Sequence, residues 1–142
     1  MKINKQLFFD LILTFHPFAR QLNHFLETYE LRRPEWAIFY YLINEPHLSL
    51  TEVGHLLNMD RANVTRAIKY LTKIDLIELQ PSIIDRRKKE IFITEKGYQV
   101  YEVLQQKITQ FENELVEGFS QEELEITQRT LETIRHRLLE KE

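Results

Sequence analysis

The chain has 142 residues, a formal net charge of −3 and no cysteine. Its length is typical of one domain, and the lack of cysteine excludes disulfides and thiolate metal sites. No apolar run approaches the about 18 residues that span a bilayer, and the N-terminus lacks a small-residue signal-cleavage site. We therefore expect a cytoplasmic protein that contacts no membrane.

The first predicted helix carries one apolar stripe, with residues three and four positions apart. The stripe consists of Phe8, Leu11, Phe15, Phe18, Leu22, Phe25 and Tyr29. Pro17 lies inside it and predicts a kink or a break nearby, because proline removes a helix hydrogen bond. Such a stripe is more often core or dimer seam than the lining of a ligand pocket.

Three further helices are predicted over Pro34–Ile43, Leu50–Asn58 and Arg61–Ile74. Ser49 and Glu52 have the spacing of a capping box before the second of these, and Asp60 is a good N-cap for the third. Only two or three residues separate those last two helices, which is typical of a helix-turn-helix.

A β-hairpin with a basic tip is predicted next. The segments 76–79 and 90–94 have strand character, and Pro81-Ser82 favours a turn between them. The run Arg86-Arg87-Lys88-Lys89 lies at the tip, and residues 60–96 hold nine Lys or Arg against six Asp or Glu. A helix pair followed by a basic hairpin predicts a winged helix-turn-helix, within a fold that is mainly α with a small β-hairpin wing.

Helices are predicted again in the acidic C-terminal third. Thr94 is placed to cap the first, and Ser120 with Glu123 has capping-box spacing before the second. A second stripe consists of Tyr101, Leu104, Ile108, Phe111 and Leu115.

The residue types on the predicted fourth helix suit the major groove of DNA. Val64, Ile68 and Leu71 share the face expected to pack inward, which leaves Asn63 and Arg66 on the other side with Lys69 and Tyr70. Asparagine pairs with adenine and arginine with guanine, each through two hydrogen bonds. Arg61 is expected at the helix start, where phosphate is favoured. The hairpin would carry Arg86 and Arg87 to the neighbouring minor groove, with Asp85 orienting one arginine.

The segments "DRANVTRAIKYLTK" and "DRRKKEIFITEKG" resemble the multiple antibiotic resistance regulator (MarR) family. Asp85, Arg87, Ile93 and Thr94 fit that family's wing pattern, and the resemblance covers about residues 31–97 well. Asp75 departs from it, because the family usually has glycine there.

The resemblance implies a single domain over residues 1–142. Residues 31–97 would form the winged helix-turn-helix lobe, and residues 1–30 and 98–142 the N- and C-terminal dimerisation helices. It also implies a homodimer that binds pseudo-palindromic double-stranded DNA, usually as a repressor, with Thr65 on the recognition helix. The expected DNA-binding residues are Arg61, Ala62, Asn63, Thr65, Arg66, Lys69, Arg86, Arg87 and Lys88.

By the same resemblance, a small aromatic or anionic effector binds between the dimer helices and the DNA-binding lobe in some members. His16, Arg20, Trp36 and Tyr40 are the candidates here for ring stacking and a cation. No cofactor or metal is expected, since the histidines lack helical ligand spacing. No phosphate loop or nucleophile motif indicates an enzyme. The alternative is a winged-helix protein-interaction module without specific DNA binding, whose wing would expose apolar residues.

Overall fold

The structure, a computed structural model, describes residues 2–142, with side chains described from residue 5 onward. In this range the elements follow in the order α1 Lys2–Glu27, α2 Arg33–Asn44, α3 Leu50–Leu57, α4 Arg61–Lys73, β1 Ile77–Pro81, β2 Lys89–Ile93, α5 Glu95–Leu115 and α6 Gln121–Glu140. The predicted fold class, mainly α with one β-hairpin, is confirmed, and the predicted helix-turn-helix limits differ by a residue or so. The strand β1 extends further than expected, to Pro81.

The helix α1 runs without interruption through Pro17, so of the predicted kink or break, the break is wrong. Pro17 and Leu13, whose carbonyl would have received its missing hydrogen bond, are both exposed, so water can satisfy that oxygen. The apolar stripe of α1 divides into two parts. Its C-terminal part contacts the core around the fully buried Leu26, whereas Phe8 and Phe15 are exposed.

The core joins α2, α3 and α4 to the end of α1, the base of the hairpin and α5. Its buried members are Leu26, Leu31, Ile38, Phe39, Val53, Val64, Ala67, Ile68, Leu71, Leu76, Ile77, Val100, Leu104 and Ile108. The predicted inward face of α4 is therefore confirmed. This packing fixes which face of α4 remains available to a partner.

The predicted helix caps form. Ser49 with Glu52 and Ser120 with Glu123 make reciprocal capping boxes at the starts of α3 and α6. Hydrogen bonds from the backbone and hydroxyl of each serine lower the pKa of Glu52 and of Glu123. Asp60 Oδ1 accepts from the Asn63 amide at 2.7 Å, so the N-terminus of α4 is capped as expected.

The junction between α4 and the hairpin depends on a left-handed residue. Asp75 has φ 64°, and the Leu76 amide donates to the Leu71 carbonyl at 3.0 Å, which closes the helix in a Schellman turn. Aspartate tolerates this conformation better than most residues, so it can replace the glycine usual in the family. Thr94 Oγ1 donates to the Asp75 carbonyl at 2.7 Å and accepts from the Gly97 amide at 2.9 Å, which confirms Thr94 as the cap of α5.

The described chain divides into two compact units, one reaching to Ile108 and the other Thr109–Glu142. In the second unit α6 begins at its capping box, with Leu124 and Ile134 partly covered. Over residues 2–142, no helix combines the length and apolar character needed to cross a membrane.

Candidate nucleic-acid interface

The helix α4 is held close against α3, which sets the angle at which it faces a partner. A Cβ atom added to Gly54 on α3 would lie 3.2 Å from Val64 Cγ2 and 3.3 Å from the Met59 carbonyl. Asn58 turns the chain between the helices with φ 53°. The two helices therefore form one rigid helix-turn-helix, with one face of α4 buried.

The opposite face of α4 presents the predicted DNA-binding residues to solvent. All six are exposed: Arg61, Ala62, Asn63, Thr65, Arg66 and Lys69. An Arg66 guanidinium nitrogen donates to Asn63 Oδ1, which fixes these two side chains relative to each other. Thr65 Oγ1 donates back to the Arg61 carbonyl at 2.9 Å, so its hydroxyl proton is used within the helix.

Tyr70 packs at the edge of α4 instead of extending outward with Asn63 and Arg66. Its hydroxyl donates to the Glu30 carbonyl, at a turn where Glu30 has φ 61°, and the Arg32 guanidinium lies 5.9 Å from the centre of its ring. Helical periodicity placed Tyr70 on the outer side of this helix with Lys69. The contacts favour packing, so Tyr70 ties α4 to the turn between α1 and α2.

Arg32 extends this connection into α2. It donates to Glu35 Oε1 from Nε at 3.1 Å and from Nη2 at 2.6 Å. The bond to Glu35 and the charge of that carboxylate raise the pKa of Arg32 above its usual value. Sequence reasoning missed this cluster. The Arg32–Glu35 spacing of three was readable, but the contact with Tyr70 on another helix was not.

The wing is a two-stranded antiparallel hairpin, with Ile77 opposite Ile93 and Pro81 opposite Lys89. Its tip is held by Ser82, which is buried. The Ser82 hydroxyl donates to Glu90 Oε1 at 2.9 Å and accepts from the amides of Ile84 and Asp85 at 3.2 and 3.4 Å. The tip is thus an ordered turn.

The predicted wing cations extend from this tip. Arg86, Arg87 and Lys88 are all exposed. Asp85 Oδ1 accepts from the Arg87 amide at 3.1 Å and from Arg87 Nε at 3.3 Å, while the Arg87 side chain stays 91% exposed. Asp85 therefore orients one arginine, as predicted. The pairing leaves the other guanidinium nitrogens of Arg87 available to a partner.

The four predicted ligand residues lie on two helices. His16 and Arg20 are one turn apart and exposed on α1, and Trp36 and Tyr40 are one turn apart on α2. The Trp36 ring stacks on Tyr101 at 5.6 Å between ring centres, so part of its surface is already used in packing.

A cavity of about 810 Å³ lies elsewhere, between the start of α2 and α4. It is lined by Phe15, Arg32, Arg33, Pro34, Glu35, Ala37, Leu57, Met59, Asn63, Arg66 and Ala67, and thus by none of the four predicted residues. Glu35 is 2% exposed, and its Oε2 has no hydrogen-bond partner within the described residues. In the same range no group of three or more His, Asp or Glu side chains is arranged to hold a metal ion.

Comparison with known proteins agrees with this architecture. The MarR family model matches residues 29–88. An uncharacterized HTH-type transcriptional regulator of Staphylococcus aureus strain MSSA476 is 23% identical over 142 residues, which is 99% of this chain and 97% of that relative.

Two solved structures have a similar fold along most of their length. Staphylococcus aureus MarR in complex with salicylate and kanamycin matches with a TM-score of 0.82 and 22% identity, over 100% of this chain and 96% of that one. The Staphylococcus aureus MepR–DNA complex matches with a TM-score of 0.77 and 20% identity, over 90% and 93%.

The matched segment contains the helix-turn-helix, β1 and the wing tip, and the relative matched over 97% of its length is named as an HTH-type transcriptional regulator. The resemblance drawn from the sequence is therefore confirmed. Residues 29–88 thus match the MarR family of winged helix-turn-helix transcriptional regulators, and the fold of the described chain is similar to that of MarR structures.

Proposed function

We propose that this regulator is a cytoplasmic homodimer that binds a pseudo-palindromic double-stranded DNA site and represses transcription there. The exposed Asn63–Arg66 pair on α4 carries the proposal. Both side chains read base edges in the major groove, and their mutual hydrogen bond orients them before binding. The MepR–DNA complex, which has a similar fold, gives further support.

In this proposal α4 and the wing contact different parts of the DNA, because they carry different side chains. Asn63 Oδ1 accepts from Arg66, which leaves the Asn63 amide donors and several guanidinium donors for bases. Arg61, at the capped start of α4, is suited to phosphate. Arg86, Arg87 and Lys88 reach the adjacent minor groove in this proposal, where negative potential is strongest when the groove is narrow.

Changing Arg66→Ala tests sequence reading. We expect specific binding to weaken by about 1–3 kcal/mol and discrimination at one base pair to relax. Fluorescence anisotropy on a duplex selected by the wild type, and on a random duplex, measures both quantities. Arg129→Ala, which removes an exposed arginine from α6, is the matched control. Equal weakening on the two duplexes would mean that Arg66 contacts phosphate instead.

Two substitutions in the wing, Arg87→Ala and Lys89→Ala, test its contact with DNA. Arg87→Ala should weaken specific binding more than Lys89→Ala, because Lys89 lies on β2 opposite Pro81, at the base of the tip. Loss of Lys89 should lower the slope of log affinity against log salt by about one counterion, with site preference unchanged. Equal and small effects would indicate that the basic run is only solvated.

The proposed homodimer is supported by exposed apolar side chains outside the DNA-binding lobe. On α1 these are Leu7, Phe8, Phe9, Ile12, Leu13 and Phe15, and on α6 they are Ile126, Leu131, Leu138 and Leu139. A partner that covers them would bury more than about 2,000 Å², as obligate dimers do. Sedimentation should show a dimer at micromolar concentration, and a stable folded monomer would contradict this.

We also propose that a small aromatic anion releases the DNA through His16, Arg20, Trp36 and Tyr40. Trp36 offers a ring beside Tyr101, and Arg20 an exposed cation. The salicylate complex of Staphylococcus aureus MarR is consistent with such chemistry. Titration with salicylate should lower DNA affinity in the wild type and much less in Arg20→Ala. An equal response in both proteins would mean that salicylate does not act through Arg20.

The alternative, a protein-interaction module, predicts one feature of the wing that the structure has. Ile83 and Ile84 at the wing tip are almost fully exposed, as expected of a wing that binds protein. Specific DNA selection by the purified chain separates the two functions, because an interaction module enriches no duplex sequence.

A further inference from the structure

The wing tip carries two adjacent apolar residues, Ile83 and Ile84, to which the proposed DNA contacts assign no role. Ile83 is 96% and Ile84 95% exposed, the two highest values among the exposed large apolar residues described. Isolated surface apolar residues are common, but two adjacent ones with almost no cover on an ordered turn require explanation.

The turn itself holds the pair outward. Ser82 is buried and its hydroxyl accepts from the Ile84 amide, while its own amide donates to the Lys88 carbonyl at 2.9 Å. The Lys88 amide in turn donates to the Asp85 carbonyl at 3.0 Å. These hydrogen bonds order the turn at residues 82–88. Much of the backbone entropy that binding through the isoleucines would cost is therefore already lost on folding.

The surroundings of the pair indicate a polyanion. Arg86, Arg87, Lys88 and Lys89 follow within five residues, and the nearest acid, Asp85, is paired with Arg87. A protein partner needs about 800 Å² from each side, far more than two side chains supply. Minor-groove binding, in contrast, regularly uses one or two aliphatic side chains that wedge between base steps.

We infer that Ile83 and Ile84 form an apolar wedge that enters the DNA minor groove beside Arg87 and makes the site depend on a deformable base step. The inference rests on the proposed DNA-binding function of the wing. The cations draw the tip to the groove, and the isoleucines contact sugar and base edges there. Pyrimidine–purine steps such as TA unstack most easily, so the wedge favours them over stiffer steps.

The test compares I83S/I84S with I83L/I84L and with Arg87→Ala. Affinity is measured against salt on a duplex selected by the wild type, and on the same duplex with TA replaced by GG at the step where the wing contacts it. Thermal unfolding of the isoleucine variants should match the wild type, because both positions are exposed.

We expect I83S/I84S to bind about tenfold more weakly, which is about 1.4 kcal/mol, with an unchanged salt slope and a smaller preference for TA. I83L/I84L should bind within about threefold of the wild type, a loss under about 0.7 kcal/mol. Arg87→Ala should weaken binding and lower the salt slope.

Two results would overturn the inference. If I83S/I84S keeps wild-type affinity and TA preference while Arg87→Ala loses affinity, the isoleucines do not contact DNA although the wing does. If I83S/I84S changes only self-association, the pair belongs to a protein contact. Wild-type binding by Arg87→Ala as well would contradict the proposed role of the wing itself, which separates the two failures.

Discussion

The substitution Gly97→Ala tests the packing at the base of the wing, because helix propensity predicts that it stabilises the protein and the packing predicts that it destabilises it. Gly97 is the third residue of α5, and alanine is about 1 kcal/mol better than glycine inside a helix. In this structure, however, a Cβ atom at Gly97 would lie 2.2 Å from the Leu76 carbonyl oxygen and 2.9 Å from Ile93 Cγ2. Both atoms belong to the base of the wing.

The contact with Leu76 decides the outcome because it involves backbone. The Leu76 carbonyl accepts from the Thr94 amide at 3.1 Å, so it cannot move without breaking the start of α5. Overpacking costs about 1–3 kcal/mol. Because the added Cβ would lie so close to the Leu76 carbonyl oxygen, we expect a cost of about 3 kcal/mol. After the helix gain of about 1 kcal/mol, Gly97→Ala should destabilise the protein by about 2 kcal/mol.

Thermal unfolding by circular dichroism measures this loss of stability. The protein concentration is matched between variants, because the midpoint of the proposed dimer would depend on concentration. A loss of about 2 kcal/mol corresponds to roughly 6–10 °C for a chain of this size. Gln99→Ala, two residues along the same helix at an exposed position, is the control and should change little. A Gly97→Ala protein as stable as the wild type would refute the packing at the base of the wing.

Two further substitutions test how α4 begins and ends. Asp60→Ala should cost about 1 kcal/mol, because it removes the cap on the Asn63 amide, and Asp60→Asn should cost much less; chemical denaturation measures both. Asp75→Ala should cost about 1 kcal/mol or more, because its φ of 64° is unfavourable for alanine, whereas Asp75→Gly should match the wild type or exceed it. Equal stability of Asp75→Ala and Asp75→Gly would mean that the left-handed turn does not exist.

Local signals made much of the fold predictable. Ser49, Asp60, Thr94 and Ser120 each cap a helix as their spacing predicted, since a cap is decided by residues within one turn. The inward face of α4 followed from helical periodicity.

The remainder depends on contacts between distant residues. Nothing near Tyr70 in sequence indicates that its hydroxyl reaches Glu30, forty positions earlier. The apolar stripe of α1 has one period throughout, yet Phe25 packs against the core and Phe8 is exposed, because only part of the helix meets the core. The predicted strands already left Ile83 and Ile84 in the segment between them, but their almost complete exposure depends on how the tip folds.

The central claim is that α4 and the wing read DNA sequence. Repeated selection of random duplexes by the purified protein, followed by affinity measurement near physiological salt, tests it most directly. We expect a pseudo-palindromic consensus with half-sites about one helical turn apart, bound at least about 10³-fold more tightly than random DNA. Selection that enriches no sequence, with selected and random duplexes bound equally, would contradict it.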